Sequence, residues 1–236
     1  MDDARGAARD EPRHRTPGVE RARADFETGD LRQWDGFQRV ADDRIQVVTD
    51  PVDQGRFAGR FEVRDGDNPI GFGDRAEVQL ATDESEGDDR WYAWSTMFDR
   101  SFPTSDAWQV VTQWHASSDG PPPLAFYVER DRLTLQTNPY DERGVRSDPV
   151  LHWSGPLDRG RWRHLRLHVI WSGNDEVGLV QLWVDGRRVT PKIRTRTLRP
   201  GEGVYLKQGY YRRSGEPRTG IVYHDGFRMS QARPVP

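Results

Sequence analysis

Residues 204–212 read 204-VYLKQGYYR-212. In an extended strand successive side chains point to opposite faces. Tyr205, Lys207, Gly209 and Tyr211 therefore line one side, and Tyr210 turns to the other, into packing. Gly209 is the one place where a bulge would reverse that parity. Two upstream segments carry the same kind of polar strip. In 74-DRAEVQL-80, Arg75, Glu77 and Gln79 share a face, opposite Ala76, Val78 and Leu80. In 108-WQVVTQWHA-116, Val111, Gln113 and His115 share a face, opposite Val110, Thr112 and Trp114. If the three strands are neighbours, their apolar sides pack on a second sheet and their polar sides line one groove.

Other short alternating runs surround these three: RIQVVTD, GRFAGRFEVR, RWYAWSTMFD, PLAFYVERD, RLTLQTN, RWRHLRLHVIWS, GLVQLWVDGRRV and GIVYHDGFRMS. Turn residues separate them, and no long amphipathic helix interrupts them. Asp185-Gly186 and the ERDRL segment around Arg130 and Asp131 read as hairpin turns. The pattern predicts an all-β fold, a sandwich or jelly roll. The 236-residue length fits one such domain. Residues 1–24, charged and aperiodic, read as a disordered N-terminal tail, 25–230 as the domain, and 231–236 as a C-terminal tail. Mean hydropathy is low at −0.91, but nine Trp, nine Phe and seven Tyr offer enough buried area for a core.

Composition also excludes chemistry. There are no cysteines, so there is no disulfide or thiolate chemistry. A net charge of −3 gives no reason to expect nucleic acid as a partner. No apolar run is long enough for a membrane span, and the amino terminus lacks the apolar core of a signal peptide. No phosphate loop or serine nucleophile elbow is present. His164 and His168 read as surface histidines. The acidic groups in NDEVG and ATDESEGDD fall at turns and read as solvated, which leaves no carboxylate pair for a glycosidase.

Arg75, Gln113, His115, Lys207 and Tyr211 remain. Singly each has an ordinary reading: a surface ion pair with Glu77, a solvated strand face, a rim aromatic. Together, RAEVQ, QWH and YLKQGYYRR resemble the three signature strands of jelly-roll polysaccharide lyases. In the alginate lyases of that group these run Arg-x-Glu-Leu, Gln-Ile/Val-His and Tyr-Phe-Lys-x-Gly-x-Tyr, in the same order. DFETGDLRQWD, GRWRHLRLHVIWS…GLVQLWVDG and YHDGFR are closer still to heparin-lyase-like proteins and glucuronan lyases. The resemblance covers about residues 25 to 230. There are three departures. Val78 stands for leucine, Trp114 for an aliphatic residue, and Arg212-Arg213 for a polar pair. The last counts against alginate.

The resemblance implies a two-sheet β-jelly roll (a concanavalin A-like sandwich) with a concave substrate groove, in a secreted enzyme that cleaves an acidic polysaccharide by β-elimination, acting as a monomer without a redox cofactor. Glucuronan is favoured over alginate, and a non-catalytic carbohydrate-binding jelly roll is the alternative. Removing the proton beside a uronate carboxylate requires that the carboxylate be neutralised as enolate charge develops. Arg75 and Gln113 suit that task. Tyr211 is the expected proton-transfer group, with Lys207, Arg212 and Arg213 expected to favour its phenolate. His115 is the alternative base or a further neutralising group. Lys207, Glu77, Tyr205, Arg213, Gln136 and Asn138 are the expected substrate contacts. Glu27 and Asp225, acids beside turns near the two ends of the domain, are the expected ligands of a structural calcium.

Overall fold

The structure is a computed structural model that describes residues 19–231. The described chain forms strands β1 (Glu20–Ala24), β2 (Gly36–Gln38), β3 (Ile45–Val48), β4 (Ala58–Val63), β5 (Asp74–Glu84) and β6 (Asp89–Phe98). It continues with β7 (Gln109–Ala116), β8 (Leu124–Glu129), β9 (Arg132–Thr137), β10 (Val150–Pro156) and β11 (Arg163–Ile170). It closes with β12 (Leu179–Val184), β13 (Arg187–Arg188), β14 (Ile193–Arg194), β15 (Val204–Arg212) and β16 (Gly220–Ser230). Apart from one 3₁₀ turn at Asp42–Arg44, no helix occurs among the described residues.

The strands make two antiparallel sheets of the expected jelly roll. One has seven strands in the order β10-β9-β8-β7-β15-β5-β2. The other has the order β13-β12-β11-β6-β16-β4-β3, with β1 on β16 and β14 on β12. The long-range order matters here: β5, β7 and β15, distant in sequence, lie side by side, with β15 in the middle.

The core lies between the sheets. Ala76, Val78 and Leu80 of β5, Trp114 of β7, and Leu206 and Tyr210 of β15 all turn into it. Trp114 packs against Tyr92, Trp94 and Trp171 with ring centroids 4.7, 6.0 and 6.1 Å apart. An aromatic at this position thus fills the space directly beneath the site strand, where an aliphatic side chain would leave a void.

Two hairpins form as read. Asp185 (φ 49°) and Gly186 (φ 76°) both adopt the left-handed conformation, and Arg130 does so (φ 54°) between β8 and β9.

Several expectations need correction. Residues 20–24, assigned to the tail, form β1, whose Ala22 and Ala24 pair with Met229 and Phe227 of β16. Two alanines among charged residues bury too little to signal a strand. Val19 and Gln231, also assigned to the tails, are joined by a hydrogen bond from the Gln231 amide to the Val19 carbonyl at 3.3 Å, and the other tail residues lie outside the described residues. Val111 is a core residue, because the pairing of β7 with β8 slips between Val110 and Thr112. His168 is buried, stacked on Trp91 at 4.2 Å and hydrogen-bonded to Asp89. Glu84, read as a solvated turn acid, is fully buried. Tyr92 and Thr82 donate hydroxyl hydrogen bonds to it, each at 2.5 Å.

Candidate functional site

β15 runs antiparallel to both neighbours, so the three polar strips meet. Lys207 sits opposite Gln79 on β5 and Gln113 on β7, Tyr211 opposite Arg75 and Val110, and Tyr205 opposite His115. Gly209 makes this possible. Its φ is 143°, and a Cβ there would lie 2.2 Å from the Ala76 carbonyl oxygen. The β15–β7 pairing slips between Gln208 and Tyr211. The parity still holds on β15. Tyr210 stays inside, donating to Gln109 Oε1 at 2.5 Å, and Tyr211 stays on the polar face. From the other sheet His224 pins this point. Its Nε2–H donates to the Gly209 carbonyl at 3.1 Å, while Nδ1 accepts from Thr96 at 3.0 Å. Burial lowers the His224 pKa to about 4, so the ring stays neutral and can fill both roles.

Glu77 is the hub of the polar face. Its Oε1 accepts from Gln113 Nε2 at 2.5 Å, and its Oε2 from Lys207 Nζ at 3.1 Å and Arg75 Nη1 at 3.4 Å. Gln38 of β2 bridges the two cations from the outside, its Oε1 accepting from Lys207 Nζ at 2.8 Å and Arg75 Nη1 at 3.0 Å. Arg75 Nη2 holds the Phe72 carbonyl at 2.7 Å, and the guanidinium lies 3.6 Å over the Tyr211 ring. Arg75, Glu77, Gln113 and Lys207 are all buried. Two buried cations therefore share one carboxylate. A buried excess of positive charge is costly unless an anion matches it.

Half-exposed groups surround the hub. His115 Nδ1 lies 2.5 Å from the Ala116 carbonyl, so it carries the proton and Nε2 keeps the lone pair. Burial lowers the His115 pKa, and Lys207 adds to the effect, so the ring is neutral near pH 7. The Tyr211 phenol is pushed up to about 12 by burial, against the opposing pull of Arg75. It is therefore protonated. The expected phenolate is corrected on this point: Lys207 is spent on Glu77 and Gln38. Arg212 lies on the buried side, bonded to the Arg218 and Glu216 carbonyls. Tyr205, its pKa raised by burial, lies beside His115 with ring centroids 5.9 Å apart.

The outer contacts are mixed. Gln136 Nε2 donates to Glu129 at 2.5 Å and Thr134 at 3.0 Å. Asn138 is buried. It donates to the Pro122 carbonyl at 2.7 Å and to the Tyr127 hydroxyl at 2.9 Å, so it orients Tyr127 rather than opening onto the face. Arg213 is exposed at the rim, its amide bonded to the Trp108 carbonyl at 3.2 Å.

Four residues escaped the sequence reading. Gln38 sits on a three-residue strand too short to show alternation. Phe72 is on a loop. Trp108 has the wrong parity for Gln113 until the slip in β7 is known. Tyr127, on the polar side of β8, offered a readable signal through its alternation with Ala125 and Glu129.

Glu27 and Asp225 flank the loop at residues 53–57 from two sides. Glu27 accepts from the Arg56 and Phe57 amides, each at 2.9 Å, and Asp225 Oδ2 from the Asp53 and Gln54 amides at 2.9 and 3.0 Å. Asp225 Oδ1 is buried without a hydrogen-bond partner. Burial pushes the Asp225 pKa up to about 6, with the charges of Asp53 and Glu27 adding to the effect. No cluster of three or more acidic or histidine side chains able to hold a metal ion occurs among the described residues.

Two surface clefts of about 510 and 630 Å³ lie elsewhere, one lined by Glu86 and Arg196, the other by His152 and Arg194. No described helix is long and apolar enough to cross a membrane.

The chain matches the polysaccharide lyase family over residues 26–228. None of the curated protein sequences matches it. Among solved structures it is similar to an endo-β-1,4-glucuronan lyase from the fungus Trichoderma reesei, with a TM-score of 0.76 at 17% identity, covering 91% of this chain and 96% of that one. An alginate lyase of polysaccharide lyase family 7 gives a TM-score of 0.62 at 13% identity, covering 82% and 85%. A β-glucanase catalytic domain from Podospora anserina gives 0.60 at 14%, covering 84% of each. The same fold thus carries glucan-directed enzymes as well, and the chemistry has to be argued from side chains.

Proposed function

The chain belongs to the polysaccharide lyase family, and from that premise we propose that it cleaves a polyuronate, glucuronan before alginate, by β-elimination on the polar face of the seven-stranded sheet. The observation that carries the reading is the pair of buried cations, Arg75 and Lys207, sharing the single carboxylate of Glu77 beneath His115 and Tyr211. A uronate carboxylate supplies the missing negative charge. The second N–H of Gln113 Nε2, not used by Glu77, donates to the same carboxylate.

With the carboxylate neutralised, the C5 proton becomes acidic enough to remove. Neutral His115 takes it on Nε2, and the C–H electron pair enters the enolate. The enolate collapses to a C4–C5 double bond, the C4–O4 bond breaks, and Tyr211 gives its phenolic proton to the leaving oxygen. One group enters the reaction deprotonated and the other protonated, as acid–base catalysis at neutral pH requires. Glucuronan is preferred on the segments that resemble glucuronan lyases, DFETGDLRQWD and YHDGFR among them. Secretion is the matching proposal for localisation.

The test is a panel of polyuronates followed by the ultraviolet absorbance of the unsaturated product. Cleavage of at least one supports the reading, and failure on all of them removes it.

The calcium proposal rests on the unpartnered Asp225 Oδ1 beside Asp53 and Glu27. The oxygens present are the ligand type calcium takes. A bound cation there would hold the loop at residues 53–57. Chelation should lower the melting temperature, and an unchanged melting temperature with and without calcium discards the site.

A further inference from the structure

The loop between β4 and β5, residues 64–73, exposes two large apolar side chains, Ile70 at 53% and Phe72 at 66%. Exposed apolar tips usually sit on loose loops, but this one is anchored at both ends. The buried Asp67 carboxylate accepts from Arg44 Nε at 2.5 Å and from the Arg64 amide at 2.8 Å, and its carbonyl accepts from the Arg75 amide at 2.7 Å. Asp74 accepts from the Gly66 amide at 3.3 Å and from the Ser214 hydroxyl at 2.8 Å. The Phe72 carbonyl is held by Arg75, a member of the proposed site. Gly73, at φ 64°, lies so close to Tyr211 that a Cβ would meet the ring at 2.4 Å.

The Phe72 ring, 66% exposed, has an aromatic neighbour. It stacks on Trp108, with centroids 6.2 Å apart and planes at 18°. Trp108 in turn meets Tyr211 edge to face at 4.7 Å. A largely exposed aromatic ring therefore stands near the proposed acid, linked to it through Trp108. An exposed ring carried on an anchored loop fits a ligand with a flat apolar face. A pyranose has one, made by its axial C–H bonds, and the polymer on the polar face passes Tyr211.

We propose that Phe72, backed by Trp108, is a stacking platform for the sugar ring adjoining the ring whose carboxylate Arg75 and Gln113 neutralise. The proposal rests on the polyuronate reading. It adds a contact that recognises carbon–hydrogen surface rather than charge.

The experiment uses the full chain and a short oligomer of whichever uronate polymer the wild type cleaves. Phe72→Ala should raise KM about tenfold, equivalent to about 1.4 kcal/mol, with a smaller change in kcat. Phe72→Leu should behave like Phe72→Ala, because it keeps apolar bulk but loses the flat face. Phe72→Trp should restore KM. All three should melt within a few degrees of wild type, since the side chain is exposed and the Arg75 contact is to the backbone. Unchanged KM in Phe72→Ala overturns the platform while leaving the lyase reading intact. So does a loss confined to kcat, or a Phe72→Leu variant that binds like wild type. A wild-type protein that cleaves no polyuronate overturns both.

Discussion

Each residue of the site has its role set by what it has already been given. Glu77 is ordinary by type, but it accepts from Gln113, Lys207 and Arg75 and so gathers the three groups proposed to neutralise the substrate carboxylate. His115 is left with an open Nε2 because Ala116 takes its Nδ1 proton, and Tyr211 keeps its own proton because burial outweighs Arg75. These two states predict a pH–rate profile. Activity on the best substrate should rise through a midpoint below the ordinary histidine value, since burial lowers the His115 pKa. It should then stay level until the phenol begins to ionise far into the alkaline range. A kcat/KM that falls between pH 7 and 9 contradicts the assignment of Tyr211 as a protonated acid. That Arg75, Gln113, His115, Lys207 and Tyr211 share one face was legible from motif and parity. Gln38, which bridges two of them from across the chain, was not, because a lone glutamine in a short strand has no pattern to betray it.

At the scale of the element, β15 carries the site and Gly209 sets its course. The strand passes within backbone contact of β5 at Ala76, and His224 reaches through from the second sheet to cap the Gly209 carbonyl. Gly209→Ala forces a Cβ into the Ala76 carbonyl at a φ that L-residues avoid. It should cost roughly 1–3 kcal/mol or more and displace Lys207 from Tyr211, so both melting temperature and kcat should fall. A variant with wild-type stability and turnover contradicts this account of the strand. The long alternating strands were legible because one face of each is apolar. β1, β2, β10 and β14 were not. β1 buries only small alanines, β2 and β14 are too short for a period to appear, and β10 mixes Gly and Pro with a register slip between Leu151 and Trp153. Slips also account for the error at Val111: a period of two is reliable only up to the first bulge.

For the molecule as a whole, the sandwich holds a buried acid that no proposed step uses. Glu84 sits in the core with Tyr92 and Thr82, and burial pushes it up to about 7 from the ordinary 4.5. A carboxyl raised on folding binds its proton more tightly in the native state. Its stabilising share is complete below about pH 4.5 and is lost as pH rises to about 7, amounting to roughly 3 kcal/mol at most. His224 and His152, both depressed to about 4 by burial, act oppositely over the same range. The informative quantity is therefore the stability difference between wild type and Glu84→Gln. That difference should move against the wild type between pH 4.5 and 7, and a difference independent of pH contradicts the buried titration.

The central claim, that this face performs β-elimination on a polyuronate, is tested most directly by the ultraviolet absorbance of unsaturated product on glucuronan and alginate. The measurement compares wild type with Tyr211→Phe and Tyr210→Phe, with folding checked for each. Wild type should generate product, faster on glucuronan. Tyr211→Phe should lose about a hundredfold or more in turnover, and Tyr210→Phe, which loses its buried bonds to Gln109 and Arg212 on the core side of the strand, should keep its turnover. A Tyr211→Phe variant that turns over like wild type would contradict the account.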